Sequence, residues 1–169
     1  MWGSMPTEKC PATSVAELLR TRRAMQEDLA GIDLAGRDLS GINFWQADLR
    51  GADLSRCDLR RAVLHSARLT RARLVEADLA SADLYAADLE GADLRSAVLV
   101  GASLVNADLT GADLRGADLR HADLRGARLR GARLAGARLR GAHYSPSTRW
   151  PFPRWIGWLI VRLHGAQRG

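Results

Sequence analysis

From Leu29 to Tyr144 an apolar residue returns every five positions without a slip, 24 times in succession. Leu fills 22 of these centres, and Phe44 and Tyr144 fill the other two. Two residues before the centre, Ala stands in 19 repeats; one residue before it, Asp or Asn stands in 15; two residues after it, Gly stands in 12. The stretch Gly111-Ala-Asp-Leu-Arg-Gly-Ala-Asp-Leu-Arg120 shows the unit undiluted. A period of five suits neither regular element. On a helix, successive centres drift by about 140° and the leucines wrap around the cylinder. On one continuous strand, an odd period throws alternate leucines to opposite faces. Either arrangement exposes half of them. The chain must therefore turn once per repeat, with centre and minus-two residues inside a very short strand and the Gly-rich position at a corner where positive φ is cheap.

The Ala-Asp/Asn-Leu-x-x unit resembles the consensus of the pentapeptide-repeat family over residues 27–146. That resemblance implies an all-β fold, a right-handed quadrilateral β-helix with four repeats per coil and about six coils for 24 repeats. Residues 20 apart then stack one above another, and the centres form four interior ladders. The first coil departs from the pattern: Glu27, Ile32, Arg37 and Ile42 replace the expected Ala. Burying an unpaired Arg37 would be expensive. That coil is expected either to open toward solvent or to lie outside the regular rod.

The flanks divide the rest of the chain. Residues 1–13 read as a disordered lead. Ser14-Val-Ala-Glu17 reads as a capping box opening an N-terminal cap helix over 14–26, with Val15, Leu18, Leu19, Arg22 and Met25 at helical spacing. Residues 147–169 form a Trp- and Arg-rich tail, expected to be a short helical cap or dimer contact; Tyr144 and the following Thr148-Arg-Trp-Pro151 are similar to endings of the same family. Its Trp155, Trp158, Leu159 and Leu163 are candidates for a dimer or membrane-surface contact.

Chemistry-bearing residues are sparse. His65, His121, His143 and His164 stand in no Ser/His/Asp, HExxH or CxxC context, and the glycines follow the repeat instead of making a phosphate loop. The 17 acids between Glu27 and Asp123 read as solvent-facing repeat residues bonded to turn backbone. Cys57 replaces an interior Ala and reads as a small buried hydrophobe. Neither catalysis, nor a cofactor, nor a metal site is expected. Two cysteines, no signal-like start and no long apolar stretch suit a cytoplasmic chain without a transmembrane segment.

With residues stacked every 20, one face carries Trp45, His65, Tyr85 and Val105 in an outward column, a candidate strip for a protein partner because Trp and Tyr are preferred anchors. Their Cα atoms are expected about 5 Å apart from coil to coil. Two other columns read Asp, Asp, Arg, Asp, Asp, Arg, from Asp28 to Arg128 and from Asp33 to Arg133, as compensated charge ladders. Charge is segregated along the chain. Residues 76–118 carry a net −7 and residues 119–169 a net +10. Arg125, Arg128, Arg130, Arg133, Arg138 and Arg140 define a basic pole, which would hold phosphate, nucleic acid or an acidic protein, or would keep the rod's end soluble.

The leading expectation is a non-catalytic scaffold acting through protein–protein contacts on a rigid rod. The alternative carried by the resemblance is a DNA mimic that binds DNA gyrase or another type II topoisomerase and protects it from inhibitors. The acidic belt suits it; the basic pole and the uniform Leu centres do not. Membrane-surface association through the tail is a further alternative. Direct nucleic-acid binding is not expected, although the basic pole allows it, and the tail likewise allows a homodimer.

Overall fold

The computed structural model describes residues 15–152 and the strand residues 167–168. Its framework is a continuous parallel ladder in which residue i pairs with residue i + 20, from Arg23↔Asn43 through Asp123↔His143. Twenty residues are four pentapeptides, so each turn of this β-helix has four sides. Three hydrogen bonds per repeat tie adjacent coils. In one repeat, Asp48 N–H donates to the Glu27 carbonyl (2.9 Å), Leu49 N–H to Arg68 (2.8 Å) and Gly51 N–H to Thr70 (3.0 Å). A fourth bond, Ala52 N–H to the Leu49 carbonyl (3.1 Å), closes the corner. Backbone polarity is thus satisfied by neighbouring coils, leaving the interior to side chains.

That interior is Leu and Ala. Every centre from Leu29 to Leu129 is buried, as is the minus-two residue of every repeat from Ile42 to Ala142. The corner residue two after each centre has positive φ from Gln26 to Gly141, and only half of these corners are Gly. Corners such as Arg61 (φ 59°) and Ala86 (φ 53°) hold a side chain in the left-handed region because the cross-coil bonds on either side over-determine it.

The N-terminal boundary differs from the expected helix over 14–26. The helix α1 runs only Val15–Thr21, and it ends where Arg22 turns to φ 54° and donates its N–H to the Leu18 carbonyl (3.0 Å). Residues 22–26 already belong to the ladder. Ala24 stands five residues before Leu29, is buried, and donates to the Asn43 carbonyl (2.8 Å). The β-helix therefore begins one repeat earlier than residue 27. Leu18 is buried against it, with Val15 and Leu19 partly buried. The first coil opens toward solvent instead of falling outside the rod: Arg37 is exposed and Ile42 buried. The Arg22 guanidinium covers part of this open edge, donating to the Asp38 carbonyl (2.6 Å) and carboxylate (3.1 Å).

At the other end the ladder continues beyond residue 146. Arg128 pairs with Arg149, a step of 21 residues, and Arg149 N–H donates to the Ala127 carbonyl (2.8 Å). The extra residue is absorbed by a side-chain-built turn. Thr148 Oγ1 donates to the Leu124 carbonyl (2.8 Å) and accepts from Ser145 N–H (3.1 Å). Trp150 meets Tyr144 edge to face at 5.9 Å. Strand β1 (His143–Tyr144) then pairs in parallel with β2 (Gln167–Arg168), and the stretch between residues 152 and 167, where the helical tail is expected, lies outside the described residues. The lead over 1–13, Ser14 of the capping box, and Trp155, Trp158, Leu159 and Leu163 lie outside the described residues.

Candidate interaction surface

The 20-residue register decides which outward side chains meet. On each face the residue before the centre forms a local turn: its side-chain oxygen accepts the N–H two residues on. Asn43 does so with Trp45 (2.9 Å), Asp83 with Tyr85 (3.0 Å) and Asp113 with Arg115 (3.2 Å). Where Arg follows the centre, its guanidinium folds back on the same carboxylate, as in Arg115–Asp113 and Arg120–Asp118 (2.7 Å each).

These contacts spend much of the basic pole. Arg125 folds onto Asp123 (2.6 Å), and Arg128 reaches down one coil to Asp108 (3.3 Å). Arg133 lies 4.0 Å from Asp113 and Arg138 3.6 Å from Asp118. Among the described residues, Arg130 and Arg140 have no carboxylate partner in the structure. The six arginines therefore do not converge on one anion cradle. The earlier ladder arginines behave alike: Arg68 pairs with Asp48 (3.0 Å) and Arg73 with Asp53 (3.1 Å). Each arginine in these two columns neutralises the carboxylate one coil before it. Guanidinium hydrogen bonds hold the Asp48, Asp113 and Asp118 carboxyls below their ordinary range, through Arg50, Arg115 and Arg120 respectively.

Chemically reactive geometry is thin among the described residues. No group of His, Cys, Asp and Glu there could hold a metal ion. Cys57 is buried, donates Sγ–H to the Leu34 carbonyl (2.9 Å), and has its thiol pushed up by that burial. His65 Nδ1 lies 4.0 Å from Asp83 on an open surface. No described helix is long and apolar enough to cross a membrane.

The face whose centres run Ala24, Phe44, Leu64, Leu84, Leu104 and Leu124 is different. Its column after the centre reads Met25, Trp45, His65, Tyr85, Val105, Arg125. Met25, Trp45 and Tyr85, at 44%, 36% and 39% exposed, are the large hydrophobics exposed among the described residues, and all three fall in this column. Successive members sit on successive coils: the carbonyls of Trp45, His65 and Tyr85 accept from Gln26, Gln46 and Ser66 one coil earlier (2.9, 3.0 and 2.9 Å). The His65 and Tyr85 rings are 4.8 Å apart. Beside Met25 to Val105 run Arg23, Asn43, Val63, Asp83 and Ser103 on one flank and Gln26, Gln46, Ser66, Ala86 and Asn106 on the other. Arg23 and Asp83 are the two full charges among those ten residues. Helical spacing over 14–26 predicts Met25 on the cap helix; Ala24, in phase with the Leu series, is the signal that places Met25 on the column instead.

The sequence profile for pentapeptide repeats matches residues 28–65, 62–101, 87–126 and 107–143, eight copies in all. The chain belongs to the pentapeptide repeat family. Among solved structures it is similar to HetL, a pentapeptide repeat protein involved in heterocyst differentiation regulation in the cyanobacterium Nostoc. The identity is 29%, covering 78% of this chain and 83% of HetL, at a TM-score of 0.41. It is similar also to a thylakoid-lumen pentapeptide repeat protein of Arabidopsis thaliana, at 27% identity over 75% of each chain and a TM-score of 0.36. A third is QnrB1, a plasmid-mediated fluoroquinolone resistance protein, at 19% identity over 87% of this chain and 79% of QnrB1, with a TM-score of 0.42. No curated protein sequence matches the chain.

Proposed function

We propose that this protein is a non-catalytic scaffold that binds a protein partner through the Met25–Val105 column. One observation carries the reading: every exposed large hydrophobic among the described residues lies in a single outward column. Its flanks carry two formal charges, Arg23 and Asp83, so covering it desolvates few ions. Trp and Tyr on backbones tied to both neighbouring coils offer anchors that lose little freedom on binding. Trp45, His65, Tyr85 and Val105 supply the contact, with Met25 extending it. The reading takes the chain to work in the cytoplasm. Affinity capture with the wild-type chain and with a Trp45→Ala/Tyr85→Ala variant tests it. A partner retained by the first and lost from the second, at equal unfolding midpoints, supports the column as the contact. Identical capture by both overturns it.

The topoisomerase alternative rests on the acidic belt over 76–118. Against it, Arg128, Arg133 and Arg138 sit over Asp108, Asp113 and Asp118, which interrupts a duplex-like row of negative charge. Gyrase supercoiling with and without a quinolone decides it: the scaffold reading expects no change on adding micromolar protein.

A further inference from the structure

The chemistry of this column suits one occupant in particular. We infer that the partner is a second copy of this chain, docked antiparallel face to face, with the two-fold axis passing beside His65; this rests on the column being a protein contact.

An isologous contact requires a patch complementary to itself, in which residue i meets j and j meets i. The column meets that requirement about His65. One coil to either side stand the aromatic residues Trp45 and Tyr85, and two coils to either side the flexible or branched aliphatics Met25 and Val105. Turning one copy end over end sets Trp45 against the partner copy's Tyr85 position and Met25 against its Val105 position. His65 then faces itself.

The flanks agree. On one side Val63 meets its own copy at the axis. Asn43 falls opposite Asp83, one coil to each side. Asn43 uses its carbonyl oxygen on Trp45 N–H (2.9 Å), which leaves its amide N–H groups available to donate. Asp83 uses Oδ1 on Tyr85 N–H (3.0 Å), and its Oδ2, 4.0 Å from His65 Nδ1, keeps lone pairs to accept with. The amide of one copy can therefore donate to the carboxylate of the other, twice by symmetry. On the other side Ser66 meets itself, and Gln46 falls opposite Ala86. Within these columns no formal charge meets its like.

Charge along the rod sets the direction. The coil over 82–101 has four acids and one arginine, net −3, whereas the coil over 42–61 has three acids and four arginines, net +1. The last coil, 122–141, carries net +5. Parallel docking would place each of these against itself. Antiparallel docking about His65 sets 82–101 against 42–61 and carries each +5 coil away from the other.

Chemical cross-linking reads the axis directly. In a Cys10→Ser background, His65→Cys and Met25→Cys variants are treated with a short bismaleimide whose reach matches the ~10 Å between packed sheets. About an antiparallel axis, the two position-65 thiols are adjacent. The two position-25 thiols lie about 20 Å apart, four coil spacings of ~4.8 Å along the rod. The expected result is a covalent dimer from His65→Cys and almost none from Met25→Cys. Equal yields from both indicate a parallel contact and overturn the proposal, as does cross-linking of neither. Sedimentation equilibrium supplies the second readout. The wild-type chain is expected to dimerise and Trp45→Ala to weaken the dimer about tenfold or more, as for a buried aromatic anchor. A monomer up to about 1 mM protein, or a dimer indifferent to Trp45→Ala, refutes self-association through this face. The capture comparison described above is a separate measurement. A partner other than this chain, lost with Trp45 and Tyr85, would uphold the contact surface while sinking the homodimer.

Discussion

Replacing Leu84 by Ala is the sharpest test of the packing. Leu84 is 1% exposed and sits mid-rod, in the ladder between Leu64 and Leu104. Removing its three outer carbons forfeits the transfer free energy of those atoms and leaves a void. In most cores the walls relax into such a void and recover part of the loss. Here the walls are fastened. Leu64 N–H donates to Asp83 (2.7 Å), Leu84 N–H to Ser103 (2.8 Å) and Leu104 N–H to Asp123 (2.8 Å), so the coil spacing cannot shrink around one residue. The loss belongs in the upper part of the range for buried Leu→Ala, about 3–5 kcal/mol. Trp45→Ala, an exposed substitution one residue beyond Phe44, which lies two coils away in the same ladder, is expected to stay within about 0.5 kcal/mol. Urea unfolding followed by circular dichroism at neutral pH gives both numbers by linear extrapolation, provided the transition slope is unchanged. A loss below about 1 kcal/mol for Leu84→Ala would show that the coils do close on the void. An equal loss for Trp45→Ala would show that the ring is packed under another part of the chain, and would remove the column as a binding surface.

Four further outcomes are expected. Ala86→Gly relieves a left-handed corner at φ 53° and should stabilise the rod by about 0.5 kcal/mol, the balance of strain removed against unfolded-state entropy gained. Gly141→Ala should destabilise it, because its Cβ would lie 2.7 Å from His121 Cε1 at a φ of +71°; paired thermal melts of the two variants check both signs. Acid sensitivity follows from the Asp48, Asp113 and Asp118 carboxyls, whose protonation is harder in the folded chain than in the unfolded one. Their contribution is present in full above the ordinary carboxylate range near pH 4 and disappears as pH falls through the lower folded values, so the urea midpoint should hold from neutrality to about pH 5 and then drop. A midpoint that rises on acidification would contradict the sign. Finally, a Cys10→Ser chain should show no thiol reaction with an aromatic disulfide reagent until denaturant is added, since Cys57 is buried and its thiol pushed up; prompt reaction in the native state would mean that the coil at Cys57 opens.

Much of this molecule is legible from spacing because the interior tolerates so little. A five-residue period with Leu at the centre and Ala two before it excludes helix and continuous strand, and it orients each repeat, in before out. Phase alone places Phe44 and Cys57 inside, and both are buried. The local Asp turns were equally legible, because an oxygen bonding two residues along its own chain needs no tertiary partner.

Spacing by itself did not say how many repeats make a coil; three or five per turn would bury the same leucines. The family resemblance implies four, and the register of 20 running from Arg23↔Asn43 to Asp123↔His143 establishes it in the structure. Everything that depends on vertical neighbours follows from that register: Arg68 over Asp48, Arg128 over Asp108, and the column from Met25 to Val105. The two ends were decided in three dimensions as well. Helical spacing over Val15–Met25 was a local preference, overridden at Arg22 where pairing with the second coil offers residues 22–26 backbone partners that a short exposed helix lacks. At the far end the ladder runs on to Arg149 because Thr148 satisfies the Leu124 carbonyl, a bond between residues 24 apart that no periodicity encodes. A repeat specifies what lies inside; which residues stand side by side on the outside is set by the coil that closes over them.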